Sequence, residues 1–175
     1  MSVSVLGIDI AKQKFDAALL VDGKTKHKTC KNSVEGFETL IFWLEELLNS
    51  IPGIGKATIP HILAELDDLE KFNHVREMVA FIGLAPKETL SGSSVKGKPR
   101  LCKIGHARLR KALYMPALVS IQCNPVMIDF YNRLKDKGKN GKVIVCAIMR
   151  KLVHVIFGVL KSGKKYDPNY KPTFA

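Results

Sequence analysis

Serine residues and positive charges lie close together in one short stretch of the chain. Residues 91–94 read Ser-Gly-Ser-Ser, and seven lysines and arginines fall within residues 96–111. No aspartate or glutamate occurs from residue 89 to residue 128. A hydroxyl in such a field suits reaction at a phosphodiester better than at a peptide, because basic side chains neutralise phosphate and stabilise the charge that develops on it. The alternative interpretation is a solvated Gly/Ser loop beside a basic helix.

The basic residues of this stretch are candidate contacts to nucleic-acid phosphates, because guanidinium and ammonium groups donate hydrogen bonds to phosphate oxygens. They are Lys96, Lys98, Arg100, Lys103, Arg108, Arg110 and Lys111. A serine hydroxyl is a weak nucleophile until a base or a metal ion activates it. His106 is the nearby candidate for such a base.

Residues 51–56, Ile-Pro-Gly-Ile-Gly-Lys, have the pattern of a helix-hairpin-helix. A turn that requires glycine would deliver a helix over residues 56–66, whose free backbone N–H groups can bind a DNA phosphate. The candidate DNA-contacting residues of this hairpin are Gly53, Gly55 and Lys56. An ordinary glycine-rich turn between helices is the alternative. Pro60 inside the helix and the carboxylates of residues 67–70 limit any contact to the hairpin tip.

Charge is distributed unevenly along the 175 residues. Residues 1–83 carry 9 basic and 12 acidic side chains, whereas residues 84–175 carry 19 basic and 4 acidic ones. This asymmetry predicts a polyanionic partner for the second half, nucleic acid before membrane. The four cysteines are widely spaced, which argues against a zinc site or a disulfide framework. No signal peptide or membrane-spanning run is recognisable, so we expect a cytoplasmic protein without a membrane partner.

The hydrophobic periodicity predicts an α+β fold, because it changes from alternating to helical near residue 34. Strands are predicted over residues 3–9, 14–21 and 24–31, with an Asp-Gly hairpin turn between the last two. They form a small antiparallel sheet, covered by one helix over residues 34–49. Further helices are predicted over residues 75–82, 106–122 (kinked at Pro116), 124–137 and 143–160. The helix at 143–160 is the expected core of the second half, and Asp9 lies where the first strand ends.

Taken together, these motifs resemble transposases of the insertion-sequence one-ten family. The N-terminal likeness lies in Gly-Ile-Asp-Ile-Ala-Lys at residues 7–12 and Asn-Ser-Val-Glu-Gly-Phe at residues 32–37. The C-terminal likeness runs through residues 50–55, Phe-Ile-Gly-Leu-Ala-Pro at 81–86, the serine run at 91–97 and Leu-Arg-Lys-Ala-Leu-Tyr-Met at 109–115. The resemblance covers nearly the whole chain.

The resemblance implies three parts of the chain. Residues 1–49 would be a remnant of a ribonuclease-H-like, RuvC-like DEDD domain, residues 50–165 an all-α serine transposase domain containing the helix-hairpin-helix, and residues 166–175 a tail. It implies that Asp9 is the first DEDD acid and a ligand for Mg²⁺, and that Ser91 is the nucleophile toward DNA. It also implies a guide RNA, and either a homo-oligomer or association with a full-length transposase.

The chain also departs from this family in one large way. In such transposases a long segment, holding the other three acids, lies between the helix that contains Trp43 and the hairpin at residue 51, whereas here the two are almost contiguous. The chain thus resembles an internally deleted transposase that binds DNA but is impaired in catalysis. Two alternatives stay open: a recombinase complemented in trans, and a stand-alone helix-hairpin-helix binding module. The shortened sheet predicts an exposed apolar edge at residues 3–8 and self-association through it.

Overall fold

The structure, a computed structural model, describes residues 5–10, 14–21, 24–66, 71–87, 90–91, 95–96, 100–101 and 104–170. The chain begins with the strands β1 (Val5–Ile10), β2 (Lys14–Val21) and β3 (Lys24–Lys31). They form one antiparallel sheet in the order β1-β2-β3. The bounds predicted for β2 and β3 are confirmed, and the predicted Asp-Gly turn between them lies outside the described residues.

Helix α1 (Val34–Asn49) has the predicted bounds. Its N-cap is Ser33, whose hydroxyl accepts from the Gly36 N–H, and Gly36 lies so close to the end of β3 that an added Cβ would overlap the Lys31 carbonyl. The helix was predicted to cover the sheet, but Phe37 and Ile41 are about half exposed. Its buried residues are Gly36, Leu47 and Leu48, and Trp43 and Leu44 are partly buried against the core, so only the second half of α1 reaches the core of the helical region.

Six helices follow in the described part of the chain. They are α2 (Ile59–Glu65), α3 (Val75–Ile82), α4 (Ala107–Ala112), α5 (Tyr114–Cys123), α6 (Pro125–Asp136) and α7 (Gly141–Ser162). The predicted kink at Pro116 becomes a break at Leu113 between α4 and α5. The proline has no N–H for the carbonyl four residues earlier, so the helix restarts and the proline occupies the first turn of α5.

The serine run was predicted as a loop; Ser91 lies on a short strand, and residues 92–94 lie outside the described residues. Four two-residue strands lie there: β4 (Pro86–Lys87), β5 (Leu90–Ser91), β6 (Val95–Lys96) and β7 (Arg100–Leu101). β4 pairs with β7 and β5 pairs with β6, both antiparallel. The described strands are therefore paired in the nested order of a β-hairpin, and we call the segment from β4 to β7 the serine hairpin.

The core of the described molecule is built around α7, as predicted. Eight α7 residues are buried, and α1, α3, α5 and α6 all pack against this helix. Its 22 residues are long and apolar enough to cross a membrane, but its burial identifies it as a core helix. The core cluster runs from Leu47 to Leu160, so the last turn of α1 and the helical region share it.

The described part of the predicted tail, residues 166–170, contacts this core through Tyr166. The Tyr166 N–H donates to the Ser50 hydroxyl at 2.8 Å, and its phenol donates to the Asn124 side-chain oxygen at 3.0 Å. The α+β class is thus confirmed, with a three-stranded sheet at one end and a helical region after it.

Candidate nucleic-acid interface

The turn before α4 is fixed against the end of α3. The His106 N–H donates to the Phe81 carbonyl at 2.7 Å, and Gly105 has φ +140°. A Cβ at Gly105 would lie 2.3 Å from that same carbonyl oxygen, so only glycine fits this approach. The sequence Lys-Ile-Gly-His therefore serves to start α4 at a defined place.

His106 holds three elements together through its ring. Nδ1 accepts from the Leu109 N–H at 3.4 Å, which caps α4, and Nε2 lies 3.0 Å from the Glu65 carboxylate at the end of α2. The ring also stacks on Phe81 of α3 with centroids 5.4 Å apart. Because both nitrogens are engaged, the geometry does not support the prediction that His106 is a free base. Sequence inspection missed Glu65 and Phe81, which lie far from His106 along the chain.

The basic residues of α4 divide into two groups. Arg108 is 86% exposed, with its guanidinium 3.9 Å from the Glu65 carboxylate, and Lys111 is exposed as well. Arg110, also a predicted phosphate contact, is only partly exposed. Its guanidinium donates to the Ile82 carbonyl at 2.8 Å and closes the end of α3. The surface presented by α4 to a ligand therefore consists of Arg108 and Lys111.

The hairpin at residues 51–56, which we call the glycine hairpin, differs in structure from the prediction. Helix α2 begins at Ile59 and not at Lys56, because the N–H groups of Thr58 and Ile59 both bond to the Gly55 carbonyl and form turns. Pro60 lies in the first turn of the helix, where proline is tolerated. A helix start at Lys56 was predicted, with free N–H groups that could bind phosphate. The helix does not begin at that residue.

The two glycines of this hairpin have different surroundings. Gly53 has φ +103°, and a Cβ there would lie 2.6 Å from the Ser120 Cβ, so this glycine permits close packing on α5. Around Gly55 an added Cβ would meet nothing within 4 Å, and Gly55 and the adjacent Lys56 are exposed. The accessible part of the hairpin is thus its second half.

The predicted serine site falls partly on described backbone. Ser91 pairs with Val95, which places it beside the tip of the hairpin, and Lys96 lies opposite Leu90. Arg100 pairs with Lys87 at the base. Lys98 and Lys103 lie outside the described residues.

The predicted metal ligand Asp9 lies on β1, and the backbone register places Asp16 of β2 directly opposite it. Two-ion phosphoryl chemistry needs several carboxylates around ions about 3.5–4 Å apart. Among the residues that the structure describes, no three His, Cys, Asp or Glu side chains are grouped so that they could hold a metal ion. The magnesium-ligand role of Asp9 stays a prediction, and no step is derived through the ion.

A protein-family model described as the transposase IS116/IS110/IS902 family matches residues 45–132, which is half of the chain. This match includes the glycine hairpin, the serine hairpin and α4. The chain belongs to this family. The resemblance predicted from the sequence motifs is therefore confirmed.

The names of similar proteins agree with this family assignment. Pilin gene-inverting proteins from Moraxella bovis and Moraxella lacunata are 38% identical over 122 residues, covering 69% of this chain and 38% of theirs. The insertion element IS110 43.6 kDa protein of Streptomyces coelicolor is 27% identical over 124 residues, covering 71% of this chain and 30% of its own length. This transposase-family chain thus spans well under half the length of the curated relatives it matches.

Proposed function

We propose that this chain binds DNA and acts in recombination of the kind named for its relatives, through the surface formed by α4, the serine hairpin and the tip of the glycine hairpin. The observation that carries the proposal is the fixed position of α4. His106 is held on both nitrogens, so Arg108 and Lys111 project into solvent from a rigid helix. Two exposed cations at a fixed place on the backbone favour a polyanion, because they can neutralise neighbouring phosphates.

The serine hairpin gives this surface its proposed chemistry. The Ser91 oxygen would attack a DNA phosphorus, a new phosphorus–serine oxygen bond would form, and the bond from phosphorus to one sugar oxygen would break. The serine proton would leave to a base, and the released sugar oxygen would take up a proton. Arg100, opposite Lys87 at the hairpin base, would neutralise charge on the phosphate.

We further propose that this reaction is impaired in the chain on its own. Asp9 is the remaining member of a DEDD set, and the family likeness supplies no position here for the other three acids. Full activity would then need Mg²⁺ held with carboxylates from a longer relative, and a guide RNA and a second copy belong to the same proposal. A helix-hairpin-helix-like contact at Gly55 and Lys56 would add affinity without sequence preference. The second candidate, a DNA-binding module without catalysis, is favoured by the engagement of His106 with Glu65.

Binding to duplex DNA tests the first part. If about six phosphates are neutralised, log affinity against log salt should have a slope of about −5. Arg108→Glu with Lys111→Glu should weaken binding to every sequence alike and make the slope shallower by about 2. The control is Lys14→Glu with Lys31→Glu, which changes the same charge at two exposed positions of the sheet. Equal losses in both variants, or a wild-type affinity that ignores salt, would contradict the proposed surface.

Ser91→Ala tests the chemistry. We expect duplex affinity to change by less than about 1 kcal/mol, because one hydroxyl contributes little to a phosphate-dominated interface. Any covalent DNA adduct, formed by this chain mixed with a full-length relative whose own serine is replaced, should disappear. An adduct that survives Ser91→Ala would exclude this residue as the nucleophile. A Ser91-dependent adduct made by the chain alone would contradict the proposed impairment.

A further inference from the structure

A second group of cations lies on another side of the molecule, where α3 and α6 pack on α7. We call it the α7 basic face, and define it as Arg76 of α3, Arg133 of α6, and Arg150, Lys151 and His154 of α7. In the part of the chain that the structure describes, none of these five side chains has a carboxylate oxygen within ion-pair distance. The face is therefore a concentration of positive charge without an ion pair inside the described part of the protein.

The aromatic ring of Phe130 holds two of these cations in place. The Lys151 ammonium lies 5.0 Å and the Arg133 guanidinium 5.5 Å from the ring centroid. Both groups also line an open groove of about 500 Å³, together with Asn132 and two carboxylates, Asp129 and Asp136. Cations held by a ring lose less freedom on binding than solvated ones.

The pKa of His154 reflects the positive charge of this face. This pKa is lowered, first by burial and then by the charges of Arg150, His74, Lys151 and Arg76. Every charged neighbour that acts on it is basic, although they come from two different helices. A neutral imidazole ring can still donate a hydrogen bond to a ligand. The cations around it attract an anion.

We propose that the α7 basic face is a second binding site for a phosphodiester backbone, separate from the α4 surface. The phosphates would run from Arg76 over Arg150 and Lys151 to Arg133, whose guanidinium lies over the Phe130 ring. The two surfaces are separated by α3. His74 and Arg76 lie at its beginning, whereas Arg110 and His106 contact its end, about 10 Å further along for eight residues of helix. The chain would then hold two nucleic-acid segments at once.

The test counts how many short duplexes, each about one helical turn long, one full chain binds at low salt, by sedimentation. We expect two for the wild-type chain. Arg76→Glu with Arg133→Glu changes two exposed residues, and it should leave one duplex and make the salt slope of the total binding shallower by about 2. The milder pair Arg76→Gln with Arg133→Gln removes the charges without reversing them. It should also leave one bound duplex, which separates loss of charge from misfolding. Lys14→Glu with Lys31→Glu should keep two.

The outcomes separate this inference from the proposed function. If only the proposed α4 surface is wrong, Arg108→Glu with Lys111→Glu keeps the wild-type stoichiometry while the α7-face variants lose all binding. If the Arg76/Arg133 variants bind as many duplexes as wild type with the same slope, the inference is overturned. An RNA strand of equal length is added as competitor to identify the source of the phosphodiester. If RNA displaces one duplex from the wild-type chain but none from the Arg76/Arg133 variants, the α7 basic face binds RNA. If RNA displaces no duplex from the wild-type chain or from the variants, the face binds DNA.

Discussion

Ile148 of α7 and Ile41 of α1 are the same residue type on helices of the same chain, yet Ile148 is 0% exposed and Ile41 is 50% exposed. They represent two regions that are held together differently. In the helical region, side chains from α1's last turn through α7 form one core. The first half of α1 instead packs along β3 and leaves Phe37 48% exposed. An apolar helix face is buried only where the remainder of the fold supplies a surface to cover it.

The largest difference between the regions should appear on truncation of matched isoleucines. Ile148→Ala should lower the free energy of unfolding by about 2–5 kcal/mol, because it removes core packing and leaves a cavity. Ile41→Ala, the matched control, should lower it by less than about 1 kcal/mol, because half of that side chain already contacts water. Urea unfolding measures both. Similar losses would mean that the first half of α1 is covered in solution.

The glycine hairpin offers a second matched pair, with an intermediate effect. Gly53→Ala should cost roughly 2 kcal/mol or more, because alanine is strained at positive φ and its Cβ would collide with Ser120. Gly55→Ala should change stability by less than about 1 kcal/mol, since its Cβ would enter open space. Thermal unfolding of the two variants distinguishes a packing glycine from an accessible one, and equal effects would refute the distinction.

Asn124 joins the helical region to the tail, and its loss should have a smaller effect. It caps α6, donates to the Pro52 carbonyl and accepts from the Tyr166 phenol. Asn124→Ala should cost about 2 kcal/mol through the lost cap and unpaired neighbours, and Tyr166→Phe about 1 kcal/mol. A Tyr166→Phe variant as stable as wild type would show that the docked tail adds nothing.

Alkaline pH probes the same contact. Burial raises the pKa of Tyr166 above its usual 10.0, while the hydrogen bond with Asn124 opposes the shift and Asp167 adds to it. The folded protein then keeps a proton that the unfolded chain releases, so this contribution is complete below pH 10 and is lost as the pH rises through the folded-state pKa. Tyr166→Phe should remove that part of the pH dependence. An unchanged alkaline profile in the variant would contradict the assignment.

At the edge of the sheet a substitution should have the smallest effect on stability and should change self-association instead. β1 pairs only with β2 among the described strands, so the predicted apolar edge lies where an added strand could pair. Val5→Lys should reduce self-association at high protein concentration, because a charge on an edge strand opposes pairing. Thr29→Lys on β3 is the matched control. Light scattering measures the mass, and a wild-type chain that stays monomeric would remove the prediction.

Local patterns in the sequence predicted most elements well. The alternation of residues 14–31 and the Ser33 cap before α1 are signals carried by a few adjacent residues, and the bounds of β2, β3, α1 and α3 followed from them. The short strands around Ser91 were missed because a two-residue strand has no periodicity of its own. Their pairing depends on the partner across the hairpin.

The sequence by itself determined the family, the charge asymmetry and the identity of the candidate serine, because these depend only on residue types and their order. Tertiary structure alone decided which basic residues are accessible. Arg108 and Arg110 are two positions apart on α4, yet one projects into solvent and the other binds the Ile82 carbonyl. That choice depends on α3 and on the His106 contact with Glu65, which bring together groups that are distant in the sequence. The α7 basic face has the same origin, since three helices must pack before its charges meet.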